Sequence, residues 1–212
     1  MLSLLISFVF SVSCQNMNES EIDTCINILR NGGIAVIPTD TVYGMVCSAL
    51  NKEAEGRLYA IKNRSFDKPC IILIRAIKDI ELFGITLREE TKTVLSKLWP
   101  NPVSVILPCN DEAFQYLHRG KCSLAFRIPK SEFLLNFLKQ TGPLLAPSAN
   151  PEGKPPALTI TNARSYFGDR VDYYLGNETL TGKPSTLISL SEEGTIKVLR
   201  TGAVNTDTLK LK

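Results

Sequence analysis

The stretch from Gly32 to Pro69 constrains the fold of this chain more than any other part of its sequence. It begins with a short apolar, β-branched run, Ile34 to Ile37, which is typical of a buried strand. A polar loop from Pro38 to Gly44 follows, and a helical pattern comes after it. A strand that ends in a loop rich in hydroxyl groups and is followed by a helix is typical of an α/β sheet, where ligands bind beyond the carboxyl ends of the strands.

Three cations follow this helix within seven positions, namely Lys62, Arg64 and Lys68. A cation at the end of a helix is common because it offsets the negative end of the helix dipole, and this explains Lys62. It does not explain Arg64 and Lys68, which lie beyond the helix and before a buried strand. Arginine can bind two phosphate oxygens at once and lysine adds a point charge, so the cluster predicts a site for a polyanion such as a nucleotide triphosphate.

The polar loop allows two interpretations. In the first, Thr41 donates a hydrogen bond to a small carboxylate or amino-acid ligand, with Tyr43 in the wall of the pocket. In the second, Asp40 and the threonines form turns that satisfy their own backbone. The loop alone leaves both open, and the cations downstream favour the ligand.

The rest of the chain continues the alternation of strands and helices, which predicts a mixed α/β sheet in one domain. Helices are predicted over residues 19–30, after the cap Asn51, from a capping box at Thr86 to Glu89, after Ser131, and over 159–167. Strands are predicted over residues 70–74, 103–107, 123–128, 143–146 and 171–175, with a hairpin of 185–190 and 195–199 around Glu192-Glu193-Gly194.

Composition bounds the class of protein. The 212 residues are 44% hydrophobic and 21% charged, enough for one domain with a sizeable core, and a net charge of +3 is too mild to indicate nucleic-acid binding by itself. The six cysteines form no C-x-x-C pair and the single histidine, His118, is predicted at the surface, so we predict no metal site. Cys25, Cys47 and Cys70 lie in apolar patterns, which is typical of a reduced, cytoplasmic protein.

The first sixteen residues form a separate segment. Leu2 to Val12 is an apolar run of about eleven residues, shorter than the ~20 that a membrane-spanning helix needs. It resembles the core of a signal peptide, with Cys14 behind it, but no Lys or Arg precedes it. We interpret 1–16 as an extension from a mis-assigned start, 17–204 as the domain and 205–212 as a tail, with no membrane contact and no further C-terminal domain.

Three motifs together resemble a known family. The run Pro38-Thr39-Asp40-Thr41-Val42-Tyr43-Gly44, then Lys62-x-Arg64-x-x-x-Lys68-Pro69, then Ala146-Pro147-Ser148-Ala149-Asn150, is similar to the signature of the YrdC-like family, the threonylcarbamoyl-AMP synthases. The resemblance extends from Glu21 to Gly202. It implies a single twisted, mixed sheet flanked by helices, with a concave ligand cleft.

The resemblance also implies a reaction. L-threonine, bicarbonate and ATP, with Mg²⁺ carried by the ATP, give threonylcarbamoyl-AMP and pyrophosphate. A downstream tRNA threonylcarbamoyl transferase then uses the product to modify the adenosine beside the tRNA anticodon. The absence of a G-x-S-x-G elbow, a Walker loop and a Rossmann fingerprint from the sequence agrees with catalysis by positioning and charge neutralisation rather than by a nucleophile.

Site residues follow from the resemblance, position by position. They are Lys62 and Arg64 as catalytic residues, Thr41, Arg127, Ser148 and Ser185 for L-threonine, and Arg64, Lys68, Ser123, Asn150 and Arg200 for ATP, with no protein metal site. Two positions depart from the family pattern: Glu152-Gly153 stands where Ser-Gly is usual, and Pro184 stands where a glutamate is usual. These departures leave open a paralogue without synthase activity. A second alternative is a non-enzymatic module that binds tRNA or double-stranded RNA through a basic concave face.

Overall fold

The computed structural model describes residues 17–191 and 194–205. Its strands are β1 (Ala35–Ile37), β2 (Gly44–Ser48), β3 (Ile71–Leu73), β4 (Val103–Pro108), β5 (Ser123–Arg127), β6 (Leu144–Leu145), β7 (Tyr173–Tyr174), β8 (Thr186–Leu190) and β9 (Ile196–Arg200). Its helices are α1 (Glu19–Arg30), α2 (Lys52–Lys62), α3 (Glu89–Leu98), α4 (Gln115–His118), α5 (Glu132–Thr141) and α6 (Ile160–Phe167), with short 3₁₀ segments at Ile77–Phe83, Glu112–Phe114 and Gly168–Arg170. The predicted extension 1–16, the end of the tail from 206, and Glu192 and Glu193 of the hairpin turn lie outside the described residues.

The strands form one mixed sheet in the order β7-β1-β2-β6-β3-β5-β4-β8-β9. Neighbours run parallel in β1/β7, β3/β5 and β4/β8 and antiparallel in the other pairs. Strand β2 joins the two parts of the sheet, because its first residues pair with β1 and its last two, Cys47 and Ser48, pair with β6. The predicted mixed α/β sheet and the β8–β9 hairpin are confirmed.

Helices cover both faces of the sheet, as the alternation of strand residues requires. Ala35 and Ile37 point to one face, where they pack in a cluster with residues of α1 and α5 such as Leu29 and Phe137. Val36 points to the other face, into the larger cluster that contains residues of α2, α3 and α6. None of the helices in the described part of the chain is long and apolar enough to cross a membrane.

Side-chain caps explain where several helices begin. The Asn51 side chain accepts a hydrogen bond from Ala54 N at 2.9 Å, and Ser131 caps α5 in the same way, as predicted. The predicted capping box at Thr86 is wrong, because α3 begins only at Glu89 and its N-cap residue, Arg88, makes no side-chain cap.

Two further features differ from the predictions. No strand was among the predictions for the residues after the polar loop, yet β2 pairs on both sides and its first four residues are buried. His118 is only 5% exposed rather than at the surface, because the short helix α4 packs it inward beside Leu117. Cys25, Cys47 and Cys70 are buried free thiols, as their apolar patterns indicated.

Candidate active site

A cavity of about 490 Å³ opens where the loops after β1 and β6 meet the start of β3 and the end of β5. This volume lies within the range of small-molecule sites. The predicted site residues that line it are Thr41, Arg64, Ser123, Arg127, Ser148, Ser185 and Arg200. Topology thus brings together side chains that are far apart in the sequence.

The loop of residues 38–43, here called the hydroxyl loop, is held in shape by Thr39. Its Oγ1 donates to Val42 O at 2.5 Å and accepts from Thr41 N and Val42 N at 3.2 Å each. The turn interpretation therefore applies to Thr39, while Thr41 lines the cavity, as the ligand interpretation requires. Tyr43 is fully buried and donates to Glu178 O at 2.9 Å, so it supports the loop from the core instead of forming the cavity wall.

Arg127, at the end of β5, is the buried cation of the cavity. Its Nη2 lies 3.0 Å from Asp40 Oδ1, and both side chains are about 5% exposed or less. Burial lowers the pKa of Arg127, and the Asp40 charge opposes that shift. The pair is not aligned for a hydrogen bond, and Arg127 Nε and Asp40 Oδ1 have no hydrogen-bond partner among the described residues. Arg127 also lines the cavity, and a guanidinium placed there is suited to a ligand carboxylate.

Arg64 shapes the loop of residues 63–69, here called the cationic loop. Its Nε donates to Lys68 O at 3.0 Å and its Nη2 to Pro69 O at 3.1 Å, which closes the loop around the guanidinium. Arg64 also lines the cavity, so the same side chain can orient the loop and face an anion.

The structure does not bring Lys62, Lys68 and Asn150 into the cavity lining. Lys62 is 2% exposed, and its ammonium donates to the carbonyls of Ser148, at 2.5 Å, and Asn150. The prediction that Lys62 acts as a point charge on phosphate is therefore wrong. Lys62 lies on the buried face at the end of α2, and its ammonium is used by the two carbonyls. Burial lowers its pKa to about 8. Lys62 is a positioning residue for the loop of residues 147–153, here called the Ser148 loop.

Asn150 is also used within its own loop. Its Nδ2 donates to Pro151 O and Lys154 O at 2.9 and 2.7 Å, and its Oδ1 accepts from Ser148 Oγ at 2.5 Å. The predicted contact between Asn150 and ATP therefore disagrees with the structure, because these three hydrogen bonds already use the side-chain amide of Asn150. Ser148, by contrast, lines the cavity.

Main-chain hydrogen bonds join the hydroxyl loop to the Ser148 loop. Ala149 N donates to Tyr43 O at 2.7 Å, and Met45 N donates to Pro147 O at 2.9 Å. The two loops that present Thr41 and Ser148 are therefore fixed relative to each other.

Ser185 and Arg200 form a cluster at the start of β8 and the end of β9. Ser185 Oγ lies 2.9 Å from Ser104 Oγ, and Arg200 Nη2 donates to Ser185 O at 2.9 Å. Burial lowers the pKa of Arg200. Both predicted residues line the cavity, and the hydrogen bond between them joins the start of β8 to the end of β9.

Three comparisons with known proteins agree with this geometry. The Sua5/YciO/YrdC family model, described as "Telomere recombination", matches residues 27–202. The chain belongs to the Sua5/YciO/YrdC family. It is 30% identical over 180 residues to the threonylcarbamoyl-AMP synthase of Pyrococcus abyssi, covering 84% of this chain and 53% of that protein. It is 29% identical over 196 residues to the enzyme of the same name from Bacillus subtilis, covering 91% of this chain and 56% of that protein.

Solved structures of the Sua5/YciO/YrdC family share the fold. P. abyssi Sua5 in complex with L-threonine superposes with a TM-score of 0.82 at 30% identity, covering 91% of this chain and 57% of that one. The predicted twisted sheet flanked by helices is thereby confirmed. The chain spans about half the length of the two curated relatives named above.

Sequence reasoning missed Lys121 as a cation of this cavity. Lys121 lines the cavity two residues before Ser123, in the turn that leads into β5. Lys121 could have been predicted from its position, because it lies just before the strand that contains the candidate residues Ser123 and Arg127. Arginine, lysine and hydroxyl groups thus line the cavity, and these groups bind carboxylates and phosphates. The described residues contain no group of three or more His, Cys, Asp or Glu side chains placed to hold a metal ion.

Proposed function

We propose that this domain makes threonylcarbamoyl-AMP and pyrophosphate from L-threonine, bicarbonate and ATP. The observation that carries the proposal is that one cavity presents both a buried, incompletely bonded Arg127 and the cations Arg64 and Lys121. An amino-acid carboxylate suits the first and a nucleotide triphosphate the second. The relatives named threonylcarbamoyl-AMP synthase and the L-threonine complex of P. abyssi Sua5 support the same reaction.

The chemistry begins with a carbamate. The amino nitrogen of threonine adds to bicarbonate with loss of water, and the resulting N-carboxylate attacks the α-phosphorus of ATP. The bond between the α-phosphorus and the bridging oxygen breaks, and that oxygen leaves with pyrophosphate. Arg127 and Thr41 orient the threonine carboxylate, while Ser148 and Ser185 border the same ligand.

The leaving group requires charge neutralisation. Arg64, with Lys68 in the same loop and Lys121 in the cavity lining, offsets the charge that develops on pyrophosphate. Magnesium enters as part of the MgATP substrate. Ser123 and Arg200 border the nucleotide, and Lys62 acts through the Ser148 loop that it holds.

The proposal includes the cellular setting. We assign the activity to residues 17–204 and to the cytoplasm, where buried free thiols such as Cys25 and Cys47 stay reduced. A tRNA threonylcarbamoyl transferase then receives the labile adenylate and modifies the adenosine beside the anticodon.

The test is pyrophosphate release by the full 212-residue chain with MgATP and bicarbonate, with and without L-threonine, together with mass spectrometry of the adenylate. We expect threonine-dependent release, reduced about a hundredfold or more in Arg64→Ala because the charge at the leaving group is lost. ATP binding without release indicates a paralogue with another activity. Double-stranded RNA binding that weakens steeply with salt, without ATP binding, indicates the RNA-binding alternative.

A further inference from the structure

A carboxylate of the Ser148 loop lies against the cationic loop. Glu152 Oε2 accepts a hydrogen bond from Ser65 N at 2.7 Å, and Oε1 pairs with Lys68 Nζ. Glu152 stands where the family pattern has serine. Asp67, the acidic residue within the cationic loop, accepts a hydrogen bond from Ser65 Oγ.

The position of Glu152 does not depend on its carboxylate. Its own N–H donates to Lys62 O at 3.1 Å, and the Lys62 ammonium holds the carbonyls of Ser148 and Asn150. Main-chain contacts therefore keep residue 152 beside the cationic loop whichever side chain it carries. The carboxylate is an addition to a loop that is already anchored.

The donors that Glu152 occupies are those that a phosphate uses. The N–H of Ser65 and the ammonium of Lys68 lie one and four positions after Arg64, which lines the cavity, and together they form a common phosphate-binding set. The pair is also accessible, since the side chains of Lys68 and Glu152 are 54% and 29% exposed. An ion pair this exposed is weak enough for a multiply charged ligand to displace.

We propose that Glu152 is an internal competitor for the phosphate groups of the nucleotide. It occupies Lys68 and Ser65 N in the ligand-free protein and gives them up when a polyphosphate binds. This inference rests on the proposed function for the identity of the ligand, ATP. Its consequence is a lower nucleotide affinity than the same cations give when no carboxylate is present.

Calorimetric titration of the full chain with MgATP, and separately with inorganic tripolyphosphate, tests this competition. Glu152→Gln keeps the shape of the side chain and removes its charge, so we expect both dissociation constants to fall about threefold to tenfold. Glu89→Gln is the matched control, because its carboxylate pairs with Lys92 on α3, and neither residue lines the cavity, so it should change neither constant. In a Lys68→Met background, Glu152→Gln should have less than half of its effect on the logarithm of the constant.

Unchanged or weaker tripolyphosphate binding in Glu152→Gln, with an unchanged melting temperature, overturns the inference and makes Glu152 a structural clip. The two proposals fail separately. Tighter tripolyphosphate binding with no adenylate formed supports the competition and contradicts the proposed reaction, whereas adenylate formation with unchanged affinities does the reverse.

Discussion

Replacing Lys62 by methionine tests whether this lysine holds the Ser148 loop. Lys62 is 2% exposed, and its ammonium donates to two carbonyl groups, Ser148 O and Asn150 O. Desolvation on burial, with a smaller effect of the Arg64 charge, lowers its pKa from 10.5 to about 8, against the opposing effects of Cys70 and Glu152. The variant keeps the length of the side chain and removes both the charge and the donors.

The pKa change of Lys62 determines how the free energy of unfolding depends on pH, in both size and sign. A fall from 10.5 to about 8 corresponds to about 3 kcal/mol of unfavourable free energy in the charged, folded form. Between these two pH values the unfolded chain binds the proton and the folded protein has released it, so the free energy of unfolding rises with pH. The penalty is fully present below pH 8 and is gone above 10.5. The neutral amine still has two N–H groups for the two carbonyls.

The Lys62→Met variant should therefore be destabilised more at high pH than at neutral pH. Loss of the donor to Asn150 O costs about 3 kcal/mol, and loss of one of the two donors to Ser148 O, which keeps the N–H of Asn150, costs about 1 kcal/mol, so the two together cost about 4 kcal/mol. At pH 7 the wild type also bears the penalty of the buried charge, which leaves a difference of about 1 kcal/mol between the two proteins. At pH 10 that penalty is nearly gone, and the difference should grow to about 3 kcal/mol.

The assay is urea unfolding of both proteins at pH 7, 8, 9 and 10, followed by the fluorescence of the single tryptophan, the buried Trp99. The difference between the proteins cancels the titration of groups that they share, such as the buried cysteines. A difference that stays constant from pH 7 to pH 10 would refute the reasoning, because Lys62 would then keep its proton in the fold.

Two further changes test the hydroxyl loop. A Cβ added at Gly182 would lie 2.8 Å from the carbonyl carbon of Thr41, so Gly182→Ala should displace this contact and weaken L-threonine binding about tenfold or more in calorimetry. The control is Gly56→Ala, which has open space around the new methyl group, and equal affinities in the two variants would argue against the Gly182 contact. Asp40→Asn leaves Arg127 buried without its counter-charge and should lower the free energy of unfolding by about 3 kcal/mol. L-threonine, whose carboxylate restores the charge, should then raise its melting temperature more than that of the wild type; an equal or smaller rise would place the carboxylate elsewhere.

Local patterns in the sequence predicted much of the fold and part of the site. Caps at Asn51 and Ser131 depend on residues a few positions apart, and the structure has both. The placement of Lys62 was also available from periodicity, because it continues the buried stripe of Ala54 and Leu58 at intervals of four residues along α2. The prediction for Lys62 was based on its charge, although its position in the helix already indicated burial.

Contacts that depend on topology could not be predicted in this way. Lys68 and Glu152 are 84 positions apart, and their contact requires that the Ser148 loop follow a strand adjacent to β3. Arg127 and Asp40 likewise meet because the ends of β5 and β1 lie at the same cavity. The spacing of residues in the sequence gives no information on this contact. Strand β2 was missed for a related reason, since its partners on both sides lie elsewhere in the chain.

The main-chain bonds between the hydroxyl loop and the Ser148 loop have a consequence for how this site can diverge. The carbonyl and amide groups of residues 43, 45, 147 and 149 set the spacing of the two loops, and these groups are present whatever side chains the loops carry. If Thr41 and Ser148 contact L-threonine as proposed, substitutions at these two positions change the ligand that is recognised while the backbone around the cavity stays in place. Under the proposed function, selection can therefore exchange the amino-acid specificity by side-chain changes alone, without first rebuilding the backbone that holds the site.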